Sequence, residues 1–338
     1  SEEWPEDVSI EADAGIVIDA ASGTVLYGKN IHETYAPASI TKVMTALLTL
    51  EAVDAGKLSL DQPITASAVV NDQDPEGSSA GIEEGEVLTV EQLLYCLLLV
   101  SANEAADILA ETVSGSREAF VELMNQRAQE LGMNDTTFVN CTGLDDGTDA
   151  VNHRTSAYDI ALMSRQLLKY HPLIKNYTTI WMDTVRDGTF GLSNTNRLLK
   201  MPVNFQVTGL KTGSTSIAKY CLSATAKKDG VELIAAIMAA PDYKVRFQDA
   251  VALLNYGYGN CRLYRDEAPP ELPKIQVLGG VRDFVKAGYR EGFSFLGLHG
   301  EDFSAIEKEL QLEGPVEAPV GEGDVFGYLV YTLDGEEL

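Results

Sequence analysis

Basic residues are scarce in this chain: 25 Lys and Arg stand against 51 Asp and Glu, a formal net charge of −26 over 338 residues. That imbalance excludes nucleic acid as a partner, since a phosphate backbone needs a positive face, and it disfavours electrostatic docking on anionic lipid. Histidine is sparser still. The four, His32, His153, His171 and His299, never approach H-E-x-x-H or H-x3-H spacing, so a histidine-based metal site is not expected. Cys96, Cys141, Cys221 and Cys261 include no C-x-x-C, which leaves zinc-knuckle and redox readings without support. Cys96 sits in an apolar run and reads as a small core residue. No apolar run reaches the roughly 18 residues of a membrane span. The chain opens at "SEEWPED" without an initiator Met or a signal peptide, and the expectation is a mature or trimmed form of an exported protein.

What is present is an ordinary globular composition, 45% hydrophobic, in a chain long enough for two domains. "AGIVIDAASGTVLYGKN" reads as a hairpin around Ala21-Ser22-Gly23. Helical periodicity follows over 39–54, 89–98, 103–113, 117–131 and 156–169. "KYCLSATAKKDGVELIAAIMAA" returns to strands joined at Asp229-Gly230, a strong hairpin signal, and a helix over 242–255 closes the region. Strands at both ends with helices between imply one sheet assembled from distant parts of the chain, with a helical insertion. The Pro- and acid-rich stretch 265–274 is the expected linker. It separates a first domain, 1–264, from a small all-β domain, 275–338.

The stretch "YAPASITKVMTALLTL" carries the first chemical signal. Ile40, Val43, Met44, Leu47 and Leu48 make the stripe of a helix with one face in a core, and Ser39 and Lys42, three apart, share a side of it. Alone, such a lysine is expected to snorkel. "LLLVSANEAAD", however, places Ser101 and Asn103 between an apolar run and a new helix, and "VTGLKTGSTS" places Lys211-Thr212-Gly213 at the start of a strand. Singly these residues could cap helices or begin a surface strand. The order S-x-x-K, S-x-N, K-T-G is far more specific.

A serine needs a base within hydrogen-bond reach, and with no His/Asp pair in a suitable context the nearest is Lys42. Desolvation and a second cation, Lys211, would lower its pKa. Ser101 could then relay a proton to the leaving amine, and Asn103 could bond Lys42 and the substrate's amide side. The oxyanion would meet the backbone N–H of Ser39 and one near Ser214 or Thr215. Lys211, Thr212 and Gly213 would form the strand edge that holds a terminal carboxylate. No cofactor is required. His153 titrates near neutrality, but beside the cap-like Thr155 and Ser156 a structural role is expected.

Together with "RTSAYDIALMSR", "FVNCTGL" and "NTNRLL", these motifs resemble those of the low-molecular-mass D-alanyl-D-alanine carboxypeptidases, penicillin-binding serine peptidases. The resemblance runs over residues 8 to about 260, and from Ile275 onward the chain resembles the β-rich domain that follows in the same family. It implies an α/β (α+β) β-lactamase/transpeptidase-like fold, with an antiparallel sheet flanked by helices. It also implies removal of the terminal D-alanine from peptidoglycan stem peptides through an acyl-enzyme on Ser39, and covalent inhibition by β-lactams. The implied location is the bacterial cell envelope, with a membrane-anchoring C-terminal amphipathic helix in the parent protein. Two alternatives stand beside it. A β-lactamase would use a deacylating glutamate, for which Glu130 in E-x-x-x-N spacing with Asn134 is the candidate, and a silent cell-wall binding protein would keep the fold with a vestigial site. Lys219 stands where relatives commonly carry glycine, and the register around Asn194, Asn196 and Arg197 is open.

Overall fold

The computed structural model describes residues 8–145, 147 and 149–338. Two compact units divide between Gly259 and Asn260. The first begins with the expected hairpin, β1 (Ala14–Asp19) and β2 (Val25–Lys29), followed by α1 (Thr41–Asp54). A small hairpin of β3 (Pro63–Thr65) and β4 (Val87–Thr89) leads into α2 (Val90–Leu99), α3 (Asn103–Ser114), α4 (Arg117–Glu130) and α5 (Ala157–Tyr170). After the short α6 (Lys175–Thr178) and a second hairpin, β5 (Met182–Val185) and β6 (Phe190–Ser193), come β7 (Gln206–Thr215), β8 (Lys219–Lys228), β9 (Val231–Ala240) and α7 (Val245–Gly259).

Local chemistry sets the helix starts. Thr89 and Gln92 form a reciprocal capping box on α2, while the side chains of Ser116 and Ser156 accept the N–H groups of Ala119 and Asp159 at the heads of α4 and α5. The turn between β8 and β9 holds Asp229 at φ 50° and Gly230 at φ 80°, the left-handed pair a tight hairpin needs.

The sheet runs β2-β1-β9-β8-β7 and is antiparallel throughout. Its centre joins the two ends of the unit, Ala14 opposite Met238 and Asp19 opposite Leu233. The period-2 alternation of β9 divides its side chains between two layers. Ile234, Ala236 and Met238 join the core built with α1 to α5, whereas Leu233 and Ile237 face the layer of α7, where Gly257 and Leu253 approach them.

Helix α1 departs from expectation in a way that matters for the site. Every residue from Thr41 to Leu50 is buried, so it is a central helix with no wet face and Lys42 has no water to snorkel toward. Ser39 lies outside it, in a 3-10 turn over Ala38–Ile40.

The second unit contains only strands and one 3-10 turn. Its strands are β10 (Arg262–Arg265), β11 (Ile275–Leu278), β12 (Phe284–Val285), β13 (Ser294–Gly297), β14 (Glu307–Leu312), β15 (Val316–Glu317), β16 (Gly327–Leu333) and β17 (Glu336–Glu337). Because β10 pairs with β13, residues 262–264 belong here and not with the first domain. Residues 266–274 carry neither helix nor strand.

Candidate active site

Three elements distant in sequence converge on Ser39. The 3-10 turn before α1 carries the serine, the head of α3 brings Ser101 and Asn103, and β7 brings Lys211 to Gly213 alongside. The approach is close. A Cβ on Gly213 would lie 2.9 Å from Ser39 N and 3.0 Å from Ile40 N, and one on Gly143 only 1.8 Å from Ala38 O. Ala38 and Ser101 hold left-handed backbone at φ 50° and 60°, a conformation costly for non-glycine residues and found where surrounding structure enforces it.

Lys42 is wholly buried, and its Nζ stands 2.9 Å from Ser39 Oγ, 3.0 Å from Ser101 Oγ and 2.7 Å from Asn103 Oδ1. Burial brings its pKa from 10.5 down to about 7, against the opposing pull of the Asp107 and Glu104 carboxylates. The lowering was expected from a nearby cation as well as from burial, and burial is its cause here. A neutral amine has two N–H donors and one lone pair. Because Asn103 Oδ1 can only accept, one hydroxyl, Ser39 or Ser101, can donate to the lysine nitrogen. Neither α1 nor α3 has a side-chain cap, so Ser39, Ser101 and Asn103 are not serving as N-caps.

Lys211, also buried, donates to Ser101 Oγ at 3.0 Å and to Thr212 O at 2.9 Å. Burial, then Lys42 and Arg246, push its pKa well below the usual lysine range. Ser101 thus lies between two lysine amines. Lys211 itself does not line the cleft beside Ser39, which encloses about 430 Å³. The walls include Ser39, Ser101, Thr212, Gly213 and Ser214, with Ser78, Thr195, Trp181 and Tyr243. Thr215 is not among them; its hydroxyl donates to Asp145 and accepts from Ala218 N.

The cleft's own cations are two arginines, and Arg246 carried no motif in the sequence. The residue is 4% exposed, and its guanidinium lies 5.4, 5.0 and 4.9 Å from the ring centres of Tyr220, Tyr243 and Phe247. Nη1 donates to Gly213 O at 3.2 Å, and Nε has no partner among the described residues. A buried guanidinium keeps its proton, so Arg246 sets a fixed positive charge in the cleft wall beside Gly213. Arg197 lies at the rim.

Other candidates fall away from the chemistry. His153 is 1% exposed; its Nδ1 accepts from Val139 N at 2.9 Å, so the ring proton on Nε2 donates to Thr41 Oγ1 at 2.7 Å. Burial holds its pKa down to about 4, and it is a structural imidazole. Glu130 pairs with Arg127 at 3.0 Å on the outer face of α4 and does not line the cleft. Among the described residues no cluster of His, Cys, Asp and Glu could hold a metal.

Comparison with known proteins identifies the family. The profile of the D-alanyl-D-alanine carboxypeptidase family matches residues 1–242. The chain is 37% identical to D-alanyl-D-alanine carboxypeptidase DacF of Bacillus subtilis, over 98% of this chain and 84% of that one. Penicillin-binding protein 5 from Haemophilus influenzae superposes with a TM-score of 0.76 at 29% identity, covering 100% of this chain and 96% of that one. Penicillin-binding protein D2 from Listeria monocytogenes, in its ampicillin-bound form, does so with a TM-score of 0.66 at 31% identity, over 75% of this chain and 99% of that one. With Ser39 in hydrogen-bond reach of a buried lysine at the meeting point of three elements, and with the family profile and the relatives above matching over most of its length, the chain belongs to the D-alanyl-D-alanine carboxypeptidase family of serine peptidases.

Proposed function

We propose that Ser39 is the nucleophile of this carboxypeptidase and Lys42 its base. The observation that carries the reading is the buried Lys42 Nζ at 2.9 Å from Ser39 Oγ, with its pKa brought to about 7. Ser39 Oγ attacks the carbonyl of the penultimate D-alanine and its proton passes to Lys42. As the C–N bond breaks, Ser101, bridged to Lys42 and Lys211, passes a proton to the departing amine and is refilled from Lys42. Water then attacks the ester with Lys42 again as base, releasing the shortened peptide. Asn103 orients Lys42, and the Ser39 N–H with the β7 backbone near Ser214 stabilises the oxyanion. Thr212 and Arg246 receive the terminal carboxylate, a role Lys211 supports from its place against Ser101. Thr215 shapes that strand end through its turn with Ala218.

The substrate is a peptidoglycan stem peptide ending in D-Ala-D-Ala, and the place of action is the cell envelope. No helix among the described residues is long and apolar enough to cross a membrane; attachment through an amphipathic segment is inferred from the family resemblance alone. Among the described residues no carboxylate lines the cleft to activate a deacylating water, so a penicilloyl ester should persist, unlike that of a β-lactamase. Mass spectrometry after incubation with ampicillin should show one adduct, on Ser39, decaying slowly and absent from Ser39→Ala. An adduct that survives Ser39→Ala, or rapid multiple-turnover hydrolysis of ampicillin, would overturn the assignment.

A further inference from the structure

Acidic residues outnumber basic ones two to one in this chain, yet among the described residues the cleft beside Ser39 is lined by two arginines and no carboxylate. The arginines are placed at different depths. Arg246 is the inner one, 4% exposed and tied to Gly213 O. Arg197 is the outer one, exposed at the head of the 3-10 turn Arg197–Lys200. Tyr243 lies between them, with the guanidinium carbons of Arg246 and Arg197 at 5.0 and 5.4 Å from its ring centre. Among the described residues Arg197 makes no ion pair and no side-chain hydrogen bond, and its guanidinium lies over the Tyr243 ring.

A terminal carboxylate needs only the inner position, where Thr212 and Arg246 stand. Arg197 is a second, more exposed cation in the wall of the same cleft, lying over an aromatic face and offering a planar fork. Because both arginines line one cleft and lie 5.0 and 5.4 Å from the Tyr243 ring centre, a leaving residue whose terminal carboxylate is held at Arg246 has Arg197 as the next cation for a second carboxylate. We propose that Arg197 and Tyr243 form a second anion subsite, which selects leaving residues carrying an additional carboxylate beyond the terminal one. Such leaving groups include an acidic C-terminal residue and an acidic peptide released from a cross-link. The inference rests on the catalytic reading above, which places the leaving residue on this side of Ser39.

The test compares two isosteric donors that differ only in charge, acyl-D-Ala-D-Glu and acyl-D-Ala-D-Gln, with acyl-D-Ala-D-Ala as reference. For an exposed charge-assisted bond the wild-type enzyme should favour D-Glu over D-Gln by about fivefold in kcat/KM, chiefly through KM. The preference should shrink in about 0.5 M salt. Arg197→Gln should bring the ratio to about one while leaving cleavage of acyl-D-Ala-D-Ala near wild type, and Arg197→Lys should restore part of it. A wild-type ratio of one, cleavage of neither charged nor amide donor, or an equal loss on all three donors in Arg197→Gln would each overturn the subsite. Failure of wild-type enzyme to cleave acyl-D-Ala-D-Ala would instead overturn the catalytic reading.

Discussion

The protonation of Lys42 should govern the pH dependence of acylation, and the structure fixes both the position and the sign. A group with pKa of about 7 is half neutral at pH 7 and about one-hundredth neutral at pH 5, each unit being a factor of ten. Acylation by a slowly reacting penicillin should therefore climb roughly a hundredfold from pH 5 to a plateau above about pH 8. An ordinary lysine would still be rising at pH 10. Replacing Lys42 by Arg removes the lone pair, because a guanidinium keeps its proton at accessible pH. Acylation should then fall by about 10²–10⁴-fold, the usual contribution of a general base. The same shift makes a stability statement. The folded pKa lies below the unfolded one, so the unfolded chain binds more protons between about pH 7 and 10.5, and Lys42 should contribute a rise in stability with pH across that window. Stopped-flow acylation of wild type and Lys42→Arg from pH 5 to 9, with thermal unfolding to verify folding, makes the measurement. A flat profile, or near-wild-type acylation by folded Lys42→Arg, would refute Lys42 as the base.

Two further outcomes follow from backbone geometry. Gly213→Ala would set a Cβ 2.9 Å from Ser39 N and 3.0 Å from Pro37 O, backbone atoms that cannot swing aside, so acylation should drop by about a hundredfold, the scale of an ångström's misplacement; wild-type acylation by this variant would show that the strand can retreat. Lys219 sits at φ 57° with only a 3.8 Å ion pair to Asp13, so Lys219→Gly should raise stability by about 1 kcal/mol in denaturant unfolding, and a loss of stability would mean that the side chain outweighs the backbone.

Much of the fold and half of the site are written in local pattern. The Asp229-Gly230 turn is local, and the structure places it where pattern put it; the three-residue spacing of Ser39 and Lys42 is local too and brings the two side chains together, although Ser39 stands in a 3-10 turn ahead of α1 and not on the helix. The Lys219 glycine position is explained by its left-handed φ. What local pattern missed depends on tertiary neighbours. The helix periodicity of 39–54 implied one wet face for α1, but the layers around it bury every side, and only that burial moves the pKa of Lys42. Arg246 reaches the site because α7 starts beside Gly213, 33 residues away in sequence, and nothing in "PDYKVRF" marks it. The end of the first unit was misplaced because β10 finds its partner in β13, beyond the proline-rich stretch.

The pairing of β1 with β9 also constrains how the enzyme comes into being. Ala14 meets Met238 across more than two hundred residues, a loop whose closure is slow for any chain. During synthesis the N-terminal hairpin emerges early and must wait, with the edge of β1 unpaired, until β9 arrives. The strand that approaches Ser39, β7, is fastened to this sheet through β8. Catalytic competence is thus a late event in maturation: secondary structure can be complete while Ser39 still lacks its β7 wall, and such a chain would not yet be captured by a penicillin.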